Sequence, residues 1–156
     1  MEFEQAVEED VDQLVKMRMA YLYDSFDAIS ESQKSSIERE LPKYFLKHLG
    51  KDMMAFVAKD NDKIIATAML VMIEKPANPR FVTGKIGEVL SVFTYPEYRR
   101  QGIGKQLMMM LLNYAKEQQL DIVELKATKS GYPLYKQMGF EEEKGLNVPM
   151  KYMIAD

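Results

Sequence analysis

The run from Ile64 to Ile73 is apolar at every position except Thr67, and it constrains the fold more than any other segment of the chain. It falls well short of the roughly 20 residues that a membrane-spanning helix needs. It also lacks the polar alternation of a strand with one wet face, so it reads as a strand covered on both sides, at the centre of an α/β sheet. With 156 residues, 47% of them hydrophobic and 29% charged, the chain has room for one core, and we expect a single domain over residues 1–156.

The flanking patterns supply the rest of that sheet. Met53 to Lys59 and Ile64 to Glu74 bracket the polar turn Asp60-Asn61-Asp62-Lys63, which predicts an antiparallel hairpin. Upstream, a short strand over Glu2 to Val7 precedes a helix from Glu8 to Tyr23, with Val11, Leu14, Val15, Met19 and Leu22 at helical spacing. A second helical region runs from Glu31 to Leu49, and Pro42 within it predicts a kink or a fresh start. Downstream, a strand from Lys85 to Phe93, a helix from Ile103 to Ala115 and a strand from Ile122 to Ala127 form a β-loop-α-β unit, whose two strands should be parallel. Tyr132 to Met138 predicts a short helix, and a last strand pair is expected over Phe140 to Glu143 and Val148 to Ile154.

Several function classes fall away. The sequence has no cysteine and one histidine, His48, so thiolate and multi-histidine metal sites are excluded, and no metal is expected. A net charge of -3 gives no basic field for a phosphate backbone, so nucleic acid is not an expected partner. The start, Met1-Glu2-Phe3-Glu4, is acidic where a targeting peptide is basic; a cytoplasmic location with no membrane partner is expected.

Chemistry concentrates in Arg99-Arg100-Gln101-Gly102-Ile103-Gly104-Lys105, between a strand and a helix. Unpaired N–H groups at a helix start, glycines that admit a ligand to the backbone, and three cations make an anion cradle, best suited to a phosphate or pyrophosphate. A glycine turn with solvated cations is the plainer reading. The dinucleotide fingerprint fails because Leu107 stands where its third glycine belongs, and the Walker pattern fails on glycine spacing and on Gln106 after Lys105.

The segment instead resembles the acetyl-CoA motif of the GNAT N-acetyltransferase superfamily: Gln or Arg, two residues, Gly, one residue, Gly or Ala. Arg99, Gly102 and Gly104 match it, preceded by Val92-Phe93-Thr94-Tyr95-Pro96-Glu97-Tyr98 and followed by Pro133-Leu134-Tyr135-Lys136-Gln137-Met138-Gly139-Phe140. The resemblance implies a mixed, largely antiparallel α/β sheet flanked by helices, with a parallel strand pair splayed at the cofactor site. It implies acetyl-CoA as co-substrate, moved directly to a primary amine of a small-molecule or protein acceptor.

Carried over by motif, the resemblance places pantetheine on the backbone of Val92 and Phe93, and the pyrophosphate on Arg99, Arg100, Gln101, Gly102, Ile103, Gly104 and Lys105. Thr128, Gly131, Pro133 and Leu134 would flank the sulfur end. Tyr135 matches the tyrosine that protonates or stabilises the departing thiolate, and Glu88 the glutamate that serves many relatives as base through water. Thr128 and Gly131 stand where many members have Asn and Ala. A non-catalytic acyl-CoA binding module and a GNAT-fold interaction scaffold remain as alternatives, and a homodimer is compatible with the sequence.

Overall fold

A computed structural model describes residues 1–155, in two compact units that divide between Lys126 and Ala127. The first unit holds a five-stranded sheet: β1 (Glu2–Gln5), β2 (Met53–Asp60), β3 (Lys63–Glu74), β4 (Lys85–Thr94) and β5 (Ile122–Glu124), side by side in that order. Every neighbouring pair is antiparallel except β4 and β5, which are parallel. The expected mixed, mainly antiparallel sheet is therefore present, with Ile64 to Leu70 buried at its centre. Burying side chains such as Ile65 and Leu70 completely stabilises the fold by about 1.5–3 kcal/mol each.

The hairpin forms where Asn61 and Asp62 both take positive φ, 48° and 66°, as a tight turn matched to strand twist requires. Helix α1 (Val11–Ser25) begins after one 3-10 turn over Glu8–Asp10. Asp10 anchors that turn, accepting the Val7 N–H at 2.9 Å and pairing with Lys59 Nζ at 2.9 Å. Helix α2 (Glu31–His48) starts on a reciprocal cap between Ser30 and Gln33 and ends with Lys47 and His48 in its last turn, both favourable to the helix dipole. It runs through Pro42 as one element. The missing proline N–H deprives only the carbonyl of Glu38, an exposed residue whose backbone water can reach.

Side chains alternate across each strand, which sorts the layers. Ala55, Val57 and Met69 share a core with Leu14, Met17 and Phe45 from α1 and α2, joined by the partly buried Val71, Leu90 and Phe93. On the opposite face Phe56 meets Tyr114 of α3 (Ile103–Glu117), ring centroids 5.7 Å apart. Gly87 lies there too, where an added Cβ would stand 2.7 Å from Leu70 Cδ1 and 3.0 Å from Leu120 Cδ1.

The second unit contains α4 (Tyr132–Gln137). The strand pair expected over residues 140–143 and 148–154 does not form among the described residues. Leu146, Val148, Met150, Tyr152 and Ile154 are exposed, and alternation makes no strand when neither a ladder partner nor a face to bury is at hand. β5 likewise ends at Glu124, short of the expected Ala127.

Candidate active site

β4 changes character along its length. Ile86, Gly87 and Glu88 pair with Ile122, Val123 and Glu124 of β5, and the parallel ladder stops there. Beyond Glu88 the strand runs on to Thr94 beside β3 alone, so its other edge has no ladder partner among the described residues. The pairing with β3 also slips between Thr67 and Met69, a bulge at which Ser91 sits buried with φ 49°. An L-residue held in the left-handed region needs outside support. Thr67 provides it, its Oγ1 donating to the Ser91 carbonyl at 2.9 Å. Val92 and Phe93, the residues to which the family resemblance assigns the pantetheine contacts, follow the bulge on that edge.

The cradle comes next in the chain. Arg100 and Gly102 both have positive φ, 65° and 75°, which turns the backbone sharply into α3. An added Cβ on Gly102 would meet nothing within 4 Å, so glycine is required there by φ and not by crowding. No side chain caps α3, and its first turn closes with the Gln106 N–H donating to the Gly102 carbonyl at 3.1 Å. The N–H groups of Ile103, Gly104 and Lys105 therefore lack intrahelical acceptors at the positive dipole end. Arg99, Arg100, Gln101, Gly102 and Lys105 are exposed, while the Ile103 side chain is buried and contributes only its backbone. The Arg99 side chain turns back: its Nε donates to the Thr94 carbonyl at 2.8 Å and its Cζ lies 5.3 Å from the Phe93 ring centroid.

Glu88 is exposed on the face shared with Val71 and Leu90, towards α1 and α2. Its charge helps raise the pKa of Tyr44 on α2, after burial and Asp52. Arg18 on α1 belongs to the same neighbourhood, where its Nη1 donates to Ser91 Oγ at 2.6 Å. Its Cζ stands 5.3 Å from the Tyr21 ring centroid, and Tyr21 stacks on Phe93 at 6.4 Å. Burial lowers the Arg18 pKa, opposed by Tyr21 and Tyr44. His48 closes α2, its Nδ1 2.8 Å from Asp52 Oδ1. No sequence pattern singles out Thr67, Ser91 or Arg18, because a bulge and its supports are properties of strand register and of how α1 packs on β4.

In the second unit Thr128 organises the turn into α4. Its Oγ1 accepts the Gly131 N–H at 3.1 Å, and its carbonyl accepts the Tyr132 N–H at 2.9 Å. Pro133 lies in the first turn of α4, where its missing N–H costs nothing, and Leu134 is half-buried. Tyr135 is buried, its ring edge-on to Phe140 at 5.7 Å. A Cβ on Gly131 would lie 2.9 Å from Tyr135 Cε2 and 3.2 Å from Thr128 Oγ1. The two departures from the common motif are thus one local arrangement: Thr128 ties the turn, and Gly131 admits the tyrosine ring.

Comparisons with known proteins agree with this geometry. A model of the acetyltransferase (GNAT) family matches residues 17–140. An uncharacterised N-acetyltransferase of Archaeoglobus fulgidus is 26% identical over 132 residues, 85% of either chain. A predicted acetyltransferase from Clostridium acetobutylicum, whose crystal structure was solved with acetyl-CoA, superposes with a TM-score of 0.83 at 30% identity, over 95% of both chains. A GCN5-related N-acetyltransferase from Ralstonia eutropha shares the fold, with a TM-score of 0.82 at 22% identity over 96% of this chain and 97% of that one. With the family model spanning most of the sequence and this architecture beneath it, the chain belongs to the acetyltransferase (GNAT) family, as an N-acetyltransferase.

Proposed function

We propose that the whole chain works as one cytoplasmic acetyltransferase domain that moves the acetyl group of acetyl-CoA directly to a primary amine. The observation that carries this reading is the continuity of β4 into α3. A bulged strand with a free edge leads straight into a helix start whose N–H groups have no acceptor. An extended pantetheine arm can pair with such an edge as an added strand, and a pyrophosphate suits such a helix start. The Clostridium acetobutylicum relative, solved with acetyl-CoA, supports the choice of co-substrate.

In the proposed reaction the amine nitrogen attacks the thioester carbonyl carbon, and the C–S bond breaks to release CoA thiolate. A backbone N–H at Phe93 polarises the carbonyl as charge develops on its oxygen. By the family motif Tyr135 gives the thiolate its proton; Glu88, acting through water, takes one proton from the incoming ammonium and passes it to solvent, and the second proton, shed by the nitrogen as the amide forms, returns through water to Tyr135. The transfer needs no covalent enzyme intermediate, so a chain without cysteine has every group required. The acceptor is an amine of a small molecule or a protein, and neither nucleic acid nor membrane takes part.

Thermal unfolding with acetyl-CoA, CoA and NAD tests the co-substrate, since a ligand bound only by the native state raises its stability. Both CoA forms should raise Tm and NAD should not; no shift with either CoA form overturns the reading. An amine screen with thiol detection then tests transfer. In that assay Tyr135→Phe should lower kcat by about 10² while leaving the Kd for acetyl-CoA nearly constant. Unchanged kcat would remove the tyrosine from the mechanism.

A further inference from the structure

Arg18 is held in an arrangement that its own fold does not complete. Arg18 is half-buried, yet among the described residues no carboxylate lies within ion-pair distance of it. A guanidinium drawn out of water normally has an acid beside it, because its desolvation is otherwise uncompensated. Lys59, by contrast, sits between Glu4 at 2.7 Å and Asp10 at 2.9 Å. The fold pairs one withdrawn cation with two carboxylates and leaves the other with a hydroxyl and an aromatic face.

Arg18 is also fixed in place. The bond to Ser91 Oγ at 2.6 Å and the stack on Tyr21 at 5.3 Å hold the guanidinium plane and occupy only part of its fork of five N–H donors. Ser91 is the bulge residue, next to Val92 and Phe93. A group bound by Arg18 therefore lies beside the segment of β4 proposed to hold the thioester. Glu88 is on the same strand and faces the same helices.

We propose that Arg18 binds a carboxylate carried by the acceptor, so that the acceptor class is small amino acids and not simple amines or polyamines. The proposal rests on the acetyl-transfer reading. A planar two-oxygen anion matches the guanidinium fork in a way that a neutral amide or an alkyl group does not. Because Arg18 meets the same strand that is proposed to hold the thioester, one molecule of amino-acid size can present its carboxylate to the arginine and its amine to the carbonyl.

The test compares matched acceptors, namely the protein amino acids, their carboxamides and the corresponding decarboxylated amines, by thiol release from acetyl-CoA. Amino acids should be acetylated with a KM at least about tenfold below that of their amides. Arg18→Gln should remove that difference by raising the amino-acid KM about 30-fold, and Arg18→Lys should restore part of it. Amides or plain amines used as well as the acids would overturn the carboxylate site and leave acetyl transfer standing. So would an Arg18→Gln variant that keeps the preference. Should no amine release thiol, acetyl transfer fails, and unfolding in the presence of CoA decides the inference. A rise in Tm with amino acids, absent with amides and absent in Arg18→Gln, upholds the anion site, and no rise overturns it.

Discussion

The two halves of β4 are made of similar residues and carry different burdens. From Lys85 to Glu88 the strand is paired on both edges, and Gly87 lets Leu70 and Leu120 close over it. From Ser91 to Thr94 it is bulged and paired on one edge only. The first half is specified by packing, and the second by the exceptions to packing: a left-handed Ser91, a threonine bonded to its carbonyl, an arginine on its hydroxyl. A strand thus becomes a site by losing a neighbour at a chosen point, with a few polar contacts holding it in the altered path.

Substitutions can drive the two halves apart. The largest effect belongs to the loop that the second half feeds. Gly102→Glu adds negative charge where the pyrophosphate is proposed, so acetyl-CoA affinity should fall at least about a hundredfold, roughly 2.7 kcal/mol, while the left-handed φ costs the apo protein only about 1–2 kcal/mol, a few degrees of Tm; titration of the Tm shift with acetyl-CoA measures the affinity. In the first half Gly87→Val should do the opposite, lowering stability by about 2 kcal/mol through overpacking against Leu70 and Leu120 and leaving acetyl-CoA affinity per folded molecule as it was. Urea unfolding and acetyl-CoA titration separate these.

Thr67→Val straddles the comparison. It keeps the buried shape and deprives the Ser91 carbonyl of its donor, so about 1 kcal/mol of stability should be lost together with a several-fold loss of acetyl-CoA affinity as the bulge relaxes. A Tm loss with affinity intact would detach the bulge from cofactor binding. The smallest effect is acid sensitivity at the start of the strand. The Thr83 hydroxyl and N–H donate to Asp121 Oδ2 at 2.7 and 2.8 Å, which lowers the Asp121 pKa. That stabilisation is present above the ordinary aspartate value of about 3.9 and is lost as pH falls through the lower folded value. Asp121→Asn should flatten the acid limb of Tm below about pH 4.

The central strand was legible because double-sided burial leaves an unbroken apolar run, and the cradle because glycines at a fixed spacing before a helix are a local signal. The parallel pairing followed from a strand-helix-strand order. Pro42 begins no new helix, because water can reach the carbonyl it orphans, and the last strand pair failed because alternation says nothing about whether a partner is present. Ser91 and Arg18 were invisible for a related reason. They lie far apart in the chain, and only the bulge in β4 together with the packing of α1 against that strand makes one the support of the other.

The closeness of Gly131 to Tyr135 has a consequence for comparing relatives. Where a Cβ would stand 2.9 Å from the tyrosine ring and 3.2 Å from Thr128 Oγ1, the identities at 128, 131 and 135 are not independent variables. Restoring the commoner Asn and Ala one at a time should cost more than restoring them together, since neighbours in direct contact show non-additive energies. Ancestral reconstruction or chimera design across this turn therefore has to treat Thr128, Gly131 and Tyr135 as one inherited unit, and a substitution harmless in a relative can be epistatically forbidden here.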